Sequence, residues 1–249
     1  MNATLQEPGT TTCWVNASLN ALLLSDRLVS LVREELVEAP PAPGFARVTT
    51  LIRDALRGAL APGRPEPGLF AQIETLLRSS RSPPSTGGNP IVAMWFIAGA
   101  VLSTLSETAV FCASGVPRVV KSLRLSDERT YQCVVDVDRP AFGDEPNHPP
   151  VAILLHLRNA RRPPLDTFVC ADGTTYTLET GCRVRDNHVM TACRVGGTHA
   201  RPPCKARLSY QLHDPATGEF LPDARVGLAD LGFGIYLKDD PHFLRRPPG

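Results

Sequence analysis

The sequence predicts an α+β fold in which a helical half precedes a strand-rich half. In the first half, apolar residues recur at helical spacing through 14–32, 48–60 and 69–77. After about residue 108 this pattern gives way to short runs rich in β-branched and aromatic residues. Helices followed by strands are typical of α+β proteins, in which the two parts pack as separate lobes.

We expect a single domain over residues 1–249, because this length and a hydrophobic content of 43% suffice for one large core. The helical lobe should cover about 1–107 and the strand-rich lobe about 108–240, with a cleft between them. No internal repeat is evident.

The individual elements follow from local patterns. Thr10 to Thr12 could cap the first helix, the proline-rich stretch 39–44 should end it, and residues 91–105 predict a nearly all-apolar fourth helix. Strands are predicted at 109–112, 118–125, 131–137, 151–157, 174–178, 188–195, 207–212 and 232–237.

Composition argues against several classes of protein. A formal net charge of +1 does not favour a nucleic-acid binder. No segment reaches the roughly 20 apolar residues of a membrane span, and no signal peptide is recognised. The 7 cysteines include no Cys-x-x-Cys pair, which argues against a zinc ribbon. We therefore expect an intracellular monomer, cytoplasmic or nuclear, without metal or cofactor.

Cys13 is the candidate nucleophile. It follows three threonines and starts the first helix, where the positive end of the helix dipole favours a thiolate. An arbitrary free cysteine is more often a small buried apolar residue. The order of parts favours catalysis here, since a cysteine on an early helix with a histidine and a carboxylate on late strands is the papain-type layout.

His188 is the candidate base among the 6 histidines, because it begins a strand directly after a polar turn. At a sheet edge its ring could reach across a cleft, although a surface histidine at a strand end is equally compatible with the pattern. Asp214 ends a strand that would pair beside that of His188, so it could orient the imidazole. A plain turn aspartate before Pro215 is the alternative interpretation.

Five blocks of sequence resemble the ubiquitin-specific proteases and occur in that family's order. Residues 5–22, LQEPGTTTCWVNASLNAL, resemble the family's Cys box. The remaining four blocks are PPVAILLHLR at 149–158, YTL at 176–178 followed by NHVMTACR at 187–194, YQLHD at 210–214 and GFGIYL at 232–237. This resemblance implies a papain-like architecture of helical thumb, antiparallel-sheet palm and short fingers, with Cys13, His188 and Asp214 as the catalytic triad.

Several family features are missing or altered. The fingers lack zinc-binding Cys pairs, and no acid stands at 89–96, where the family's tail-binding box would fall. Gln6 or Glu7 lies near the place of the oxyanion-hole asparagine, and we prefer Gln6 because its amide can donate a hydrogen bond. Trp14 follows the nucleophile and Asn187 precedes the histidine; both are expected to contact substrate.

Three functions remain open at this point. The chain could remove ubiquitin or a ubiquitin-like modifier by cleaving after its terminal Gly-Gly. It could instead process its own precursor polyprotein, as a viral protease would, with deubiquitination as a side activity. It could also be an inactive ubiquitin-binding relative. The retained cysteine, histidine and aspartate favour an enzyme, whereas the altered tail-binding features favour the inactive module.

Overall fold

A computed structural model provides the structure of the chain. It describes residues 3–6, 11–38, 46–61, 68–79, 90, 93–94, 97, 119–124, 130–134, 152–156, 166–169, 175–185, 188–194, 210–221 and 231–239. Within these ranges, four helices precede nine strands of one antiparallel sheet, which confirms the predicted α+β class. The predicted strand at 109–112 lies outside the described residues. Most of the predicted helix at 91–105 does too, although Ala93, Met94 and Ile97 are helical and buried.

The helices are α1 (Cys13–Leu23), α2 (Asp26–Glu38), α3 (Ala46–Leu60) and α4 (Leu69–Ser79). The prediction of one continuous helix over 14–32 is wrong, because the chain bends by 92° between α1 and α2. Ser25 caps α2 at this break, since its Oγ accepts a hydrogen bond from Leu28 N at 3.3 Å. Thr12 stands at the N-cap of α1 but makes no side-chain cap.

The strands are β1 (Val119–Arg124), β2 (Thr130–Val134), β3 (Ala152–His156), β4 (Thr167–Val169), β5 (Thr175–Arg185), β6 (His188–Arg194), β7 (Tyr210–His213), β8 (Phe220–Leu221) and β9 (Leu231–Lys238). Their order in the sheet is β1-β2-β3-β9-β5-β6-β7-β8, with β4 paired to β5. β5 is longer than predicted because its middle is buried and paired on both sides, by β6 and β9. The short strands β4 and β8 were not predicted.

The core lies between α1 and the central strands, and α1 is buried along its whole length. Strand hydroxyl groups donate into its backbone: Thr191 Oγ1 bonds Ala17 O at 2.8 Å and Thr180 Oγ1 bonds Ala21 O at 2.6 Å. Such bonds fix both the height and the rotation of the helix on the sheet, because each joins one strand position to one helix position.

A buried carboxylate ties α2 to the sheet. Glu179 is the extra residue of a bulge in β5, between Leu178 and Thr180, and is 8% exposed. It accepts a hydrogen bond from Ser25 Oγ at 2.6 Å and lies 3.7 Å from Arg27 and 3.9 Å from Arg194. The bulge thus places the Glu179 carboxylate against Ser25, the residue that caps α2.

No single helix in the described part of the chain is long and apolar enough to cross a membrane. Only α1 and the first part of α2 reach that length and composition together, and they meet at 92°.

Two glycines in the central strands provide a matched test of the packing. A Cβ on Gly181 would lie 2.6 Å from the carbonyl oxygen of Phe233, which the β5–β9 ladder holds in place. A Cβ on Gly232 would meet no atom closer than 3.6 Å. We expect Gly181→Ala to lower the free energy of unfolding by about 1–3 kcal/mol, the usual range for overpacking. Gly232→Ala should change it by less than about 0.5 kcal/mol. Urea unfolding monitored by circular dichroism would measure both, and equal effects would contradict this packing.

Candidate active site

Cys13 begins α1 and is 8% exposed. Burial raises the pKa of its thiol, and the charges of Glu74 and Asp214 raise it further. The backbone N–H groups of Val189 and Trp14 act on the sulfur in the opposite direction and favour the thiolate. Val189 directly follows His188, so the sulfur lies beside the strand position that carries the candidate base.

The two other free cysteines in the described ranges have more strongly buried sulfurs. Cys182 is 0% exposed and Cys193 is 6% exposed. Burial raises the pKa of Cys193 to about 11 and that of Cys182 higher still. A thiol becomes nucleophilic only as a thiolate, so these cysteines are poor candidates for reaction near neutral pH.

His188 and Asp214 are in direct contact, with 2.9 Å between His188 Nε2 and Asp214 Oδ1. His188 starts β6 and Asp214 directly follows β7, its pairing partner. An ionised carboxylate can only accept hydrogen bonds, so Nε2 carries the proton in this pair. Nδ1 of the neutral imidazole is then the unprotonated nitrogen, which is the one that can accept a proton from a nucleophile.

A tight turn holds Asp214 in place. Its backbone N–H donates to Glu219 O at 2.9 Å, and its own carbonyl accepts from Gly218 N at 2.7 Å. Gly218 has a φ of 77°, which residues with a side chain rarely adopt. The Ala216 N–H also donates to Asp214 Oδ1 at 2.8 Å. The oxygen that faces His188 is therefore fixed by the backbone on its other side.

The spacing of contacts along α1 and β6 explains why Cys13 lies beside the start of β6, the strand that His188 begins. The Cys13 sulfur interacts with the backbone N–H of Val189, and the Ala17 carbonyl accepts a hydrogen bond from Thr191 Oγ1. Four residues of helix rise about 6 Å, and two residues of strand rise about 6.6 Å. Helix and strand therefore advance together, and Ala21 continues the series at Thr180, which pairs with Cys193.

The segment at residues 3–6, which carries Gln6, is held against α1 by Asn20. Asn20 Oδ1 accepts from Thr4 N at 2.7 Å and from Thr4 Oγ1 at 3.0 Å, and its Nδ2 donates to Thr4 O at 2.9 Å. Two residues later, Gln6 N donates to Pro215 O at 2.7 Å. Gln6 is thus tied to the turn that holds Asp214, and Glu7 lies outside the described residues.

His213, the last residue of β7, is a further contact of Asn20. It is 1% exposed, packs edge-on against Phe220 and lies with Nδ1 3.4 Å from Asn20 Nδ2. Burial lowers the pKa of His213, and the charge of Asp214 only partly opposes this effect. A neutral ring can accept the hydrogen bond from the Asn20 amide, so Asn20 connects α1, residue 4 and β7.

Trp14 was predicted to contact substrate, but its indole is 3% exposed and its Nε1 donates to Glu74 Oε1 at 2.9 Å. A substrate can reach little of such a side chain, so we assign Trp14 to the support of Cys13 instead. Asn187, the second predicted substrate contact, lies outside the described residues.

Sequence reasoning missed Asn20 and Glu74. Asn20 is polar at a position of α1 that faces the core, and a fully buried amide on a helix signals a specific hydrogen-bonding role. Glu74 stands one turn before Arg78 on an amphipathic helix, where such a pair usually faces solvent. Its contact with Trp14, 60 residues away in the chain, leaves no local signal.

Within the described ranges, no three or more His, Cys, Asp or Glu side chains are grouped so as to hold a metal ion. Comparison of the chain with protein-family models and with curated proteins finds no match.

Replacement of Asn20 tests how the Gln6 segment is held. Asn20→Leu removes every hydrogen bond of the amide to Thr4, so the backbone N–H of Thr4 should exchange with solvent at least about tenfold faster, as the loss of one hydrogen bond implies. Hydrogen–deuterium exchange read by mass spectrometry on the N-terminal peptide would measure this. Asn16→Leu is the matched control one turn earlier, since the Asn16 side chain bonds Thr12. Equal exchange in both variants would show that Asn20 does not hold this segment.

Proposed function

We propose that the chain is a thiol-dependent hydrolase that removes ubiquitin or a ubiquitin-like modifier by cleaving after the modifier's terminal Gly-Gly. The 2.9 Å contact between His188 Nε2 and Asp214 Oδ1, with the Cys13 sulfur at the amide of Val189, carries the catalytic part of this proposal. The ordered sequence blocks that resemble ubiquitin-specific proteases support the choice of substrate.

In the proposed mechanism, His188 Nδ1 takes the thiol proton as Cys13 attacks the carbonyl carbon of the terminal glycine. Asp214 stabilises the imidazolium that forms and keeps the ring oriented through Nε2. The imidazolium then returns the proton to the leaving amine, and a thioester between Cys13 and the modifier remains. His188 next removes a proton from water, which attacks the thioester; the C–S bond breaks, the free modifier leaves, and the imidazolium returns the proton to the Cys13 sulfur.

The oxyanion of each tetrahedral intermediate needs hydrogen-bond donors. The backbone N–H of Cys13 lies at the start of α1, where the first N–H groups of a helix have no partner within the helix. The side-chain amide of Gln6 is the second proposed donor. The bond from Gln6 N to Pro215 O supports this role, because it ties Gln6 to the turn that carries Asp214.

The architecture is consistent with the papain-like division into lobes. The nucleophile starts a buried helix of the helical half, and the base and acid stand on adjacent strands of the antiparallel sheet. In this interpretation α1 belongs to the thumb, the central strands form the palm, and the β1–β2 hairpin forms the short fingers. An intracellular location would bring the enzyme together with modified proteins.

The proposal predicts a covalent adduct at Cys13. Ubiquitin and several ubiquitin-like modifiers, each with an electrophile in place of the C-terminal carboxylate, would be incubated with the protein and examined by gel shift and mass spectrometry. We expect at least one modifier to be captured within minutes and Cys13→Ala to capture none. His188→Ala should slow capture by at least about 100-fold, in keeping with the loss of a general base.

Modifiers that lack the terminal glycine serve as the substrate control and should not react. Capture of no modifier by a folded protein would contradict modifier removal. If Cys13 then still cleaved its own precursor, self-processing would be the function. Binding of a modifier without capture would indicate the inactive module, and an adduct that persists in Cys13→Ala would place the nucleophile elsewhere.

A further inference from the structure

Glu74, on α4, accepts hydrogen bonds from residues on both sides of Cys13. Its Oε1 lies 2.9 Å from Thr11 Oγ1 and 2.9 Å from Trp14 Nε1. Thr11 stands two residues before the candidate nucleophile, and Trp14 directly follows it. One carboxylate oxygen thus accepts hydrogen bonds from both sides of the turn that precedes α1.

The charge of this carboxylate is balanced by Arg78, one turn later on α4. Arg78 Nε and Nη2 donate to the same Oε1 at 3.2 and 2.8 Å, and the guanidinium lies 5.8 Å from the centre of the Trp14 ring. Burial alone would raise the pKa of Glu74, but the hydrogen bonds from Trp14, Arg78 and Thr11 outweigh it and lower that pKa. Glu74 is therefore ionised at neutral pH.

The hydrogen bonds from Thr11 and Trp14 to Glu74 tie the start of α1 to α4. The N-cap of α1, Thr12, provides no side-chain cap, although its carbonyl accepts the first helical bonds from Val15 and Asn16 at 3.0 and 2.9 Å. The Thr11 carbonyl lies 4.0 Å from the Cys13 sulfur. A shift of Thr11 or Trp14 would therefore move both the sulfur and the backbone N–H of Cys13.

We propose that Glu74 is a positioning residue for Cys13, which acts by holding Thr11 and Trp14 on either side of the nucleophile. This role deepens the proposed function and rests on Cys13 being the nucleophile. It does not depend on which modifier, or which acyl group, Cys13 attacks.

The same carboxylate has an opposing electrostatic effect. The negative charges of Glu74 and Asp214 both raise the pKa of Cys13, although by less than burial raises it. Glu74→Gln keeps Oε1 as an acceptor for all of these hydrogen bonds but removes the charge. Glu74→Ala removes both. Comparison of the two variants therefore separates position from charge.

Two reactions that need no modifier test this role in the full-length chain, with the Cys13→Ala background subtracted. Acylation by p-nitrophenyl acetate reports the placement of the nucleophile, and the pH profile of iodoacetamide alkylation reports its ionisation. We expect Glu74→Ala to lower the acylation rate at least about tenfold, because the turn loses its clamp. Glu74→Gln should stay within about threefold of the wild type, and both variants should shift the alkylation midpoint to lower pH.

Asp54→Asn is the matched control, since Asp54 pairs with Arg57 on α3 at 3.0 Å and is half exposed. It should leave both reactions unchanged. All rates are measured well below each variant's unfolding temperature. Wild-type acylation in Glu74→Ala, or equal losses in the alanine and glutamine variants, would overturn the proposal. If no modifier reacted with Cys13 but the acylation rates were as expected, the proposal that the chain removes a modifier would be overturned. The positioning role of Glu74 would still hold.

Discussion

The placement of α1 on the sheet sets the geometry of the candidate site. Hydroxyl groups of Thr191 and Thr180 donate into the carbonyls of Ala17 and Ala21, so the helix can neither slide nor rotate without breaking them. Four helical residues and two strand residues cover nearly the same distance. The first residue of the helix, Cys13, therefore lies beside Val189 in β6, the strand that His188 begins. The two threonine bonds define the position of α1 on the sheet, and the other contacts of the site adjust it.

Opposing effects act on the ionisation of the Cys13 thiol. Burial and two carboxylates, Glu74 and Asp214, oppose a negative charge on Cys13, whereas the amides of Val189 and Trp14 favour it. Asp214 lies 2.9 Å from His188, where the proposed mechanism uses it to stabilise the imidazolium that forms during attack. A neutral thiol with a neutral imidazole, or a thiolate with an imidazolium, are the pairings that keep the net local charge the same. In the proposed mechanism the thiol therefore ionises by passing its proton to the His188 ring.

The sequence indicates the order of helices and strands and the chemical types at the site, because helical spacing, strand composition and the positions of Cys13, His188 and Asp214 are local features. The break at Ser25 was missed because apolar residues continue at helical spacing across it, although a serine that caps a following turn is a recognisable signal. The length of β5 and the position of β9 between β3 and β5 depend on pairings distant in sequence, which periodicity does not encode. Asn20 and Glu74 were missed for the same reason, since their roles consist of contacts with Thr4, His213, Thr11 and Trp14.

The central claim is that Cys13 ionises through His188. Thiolate absorbance near 240 nm, titrated against pH in the wild type and in His188→Ala with the Cys13→Ala spectrum subtracted, measures this directly. Coupled ionisation predicts that the thiolate signal appears at a lower pH in the wild type than in His188→Ala, because the imidazole accepts the thiol proton. Identical titration curves in the two proteins would show that the cysteine and the histidine do not act together, and would contradict the catalytic assignment.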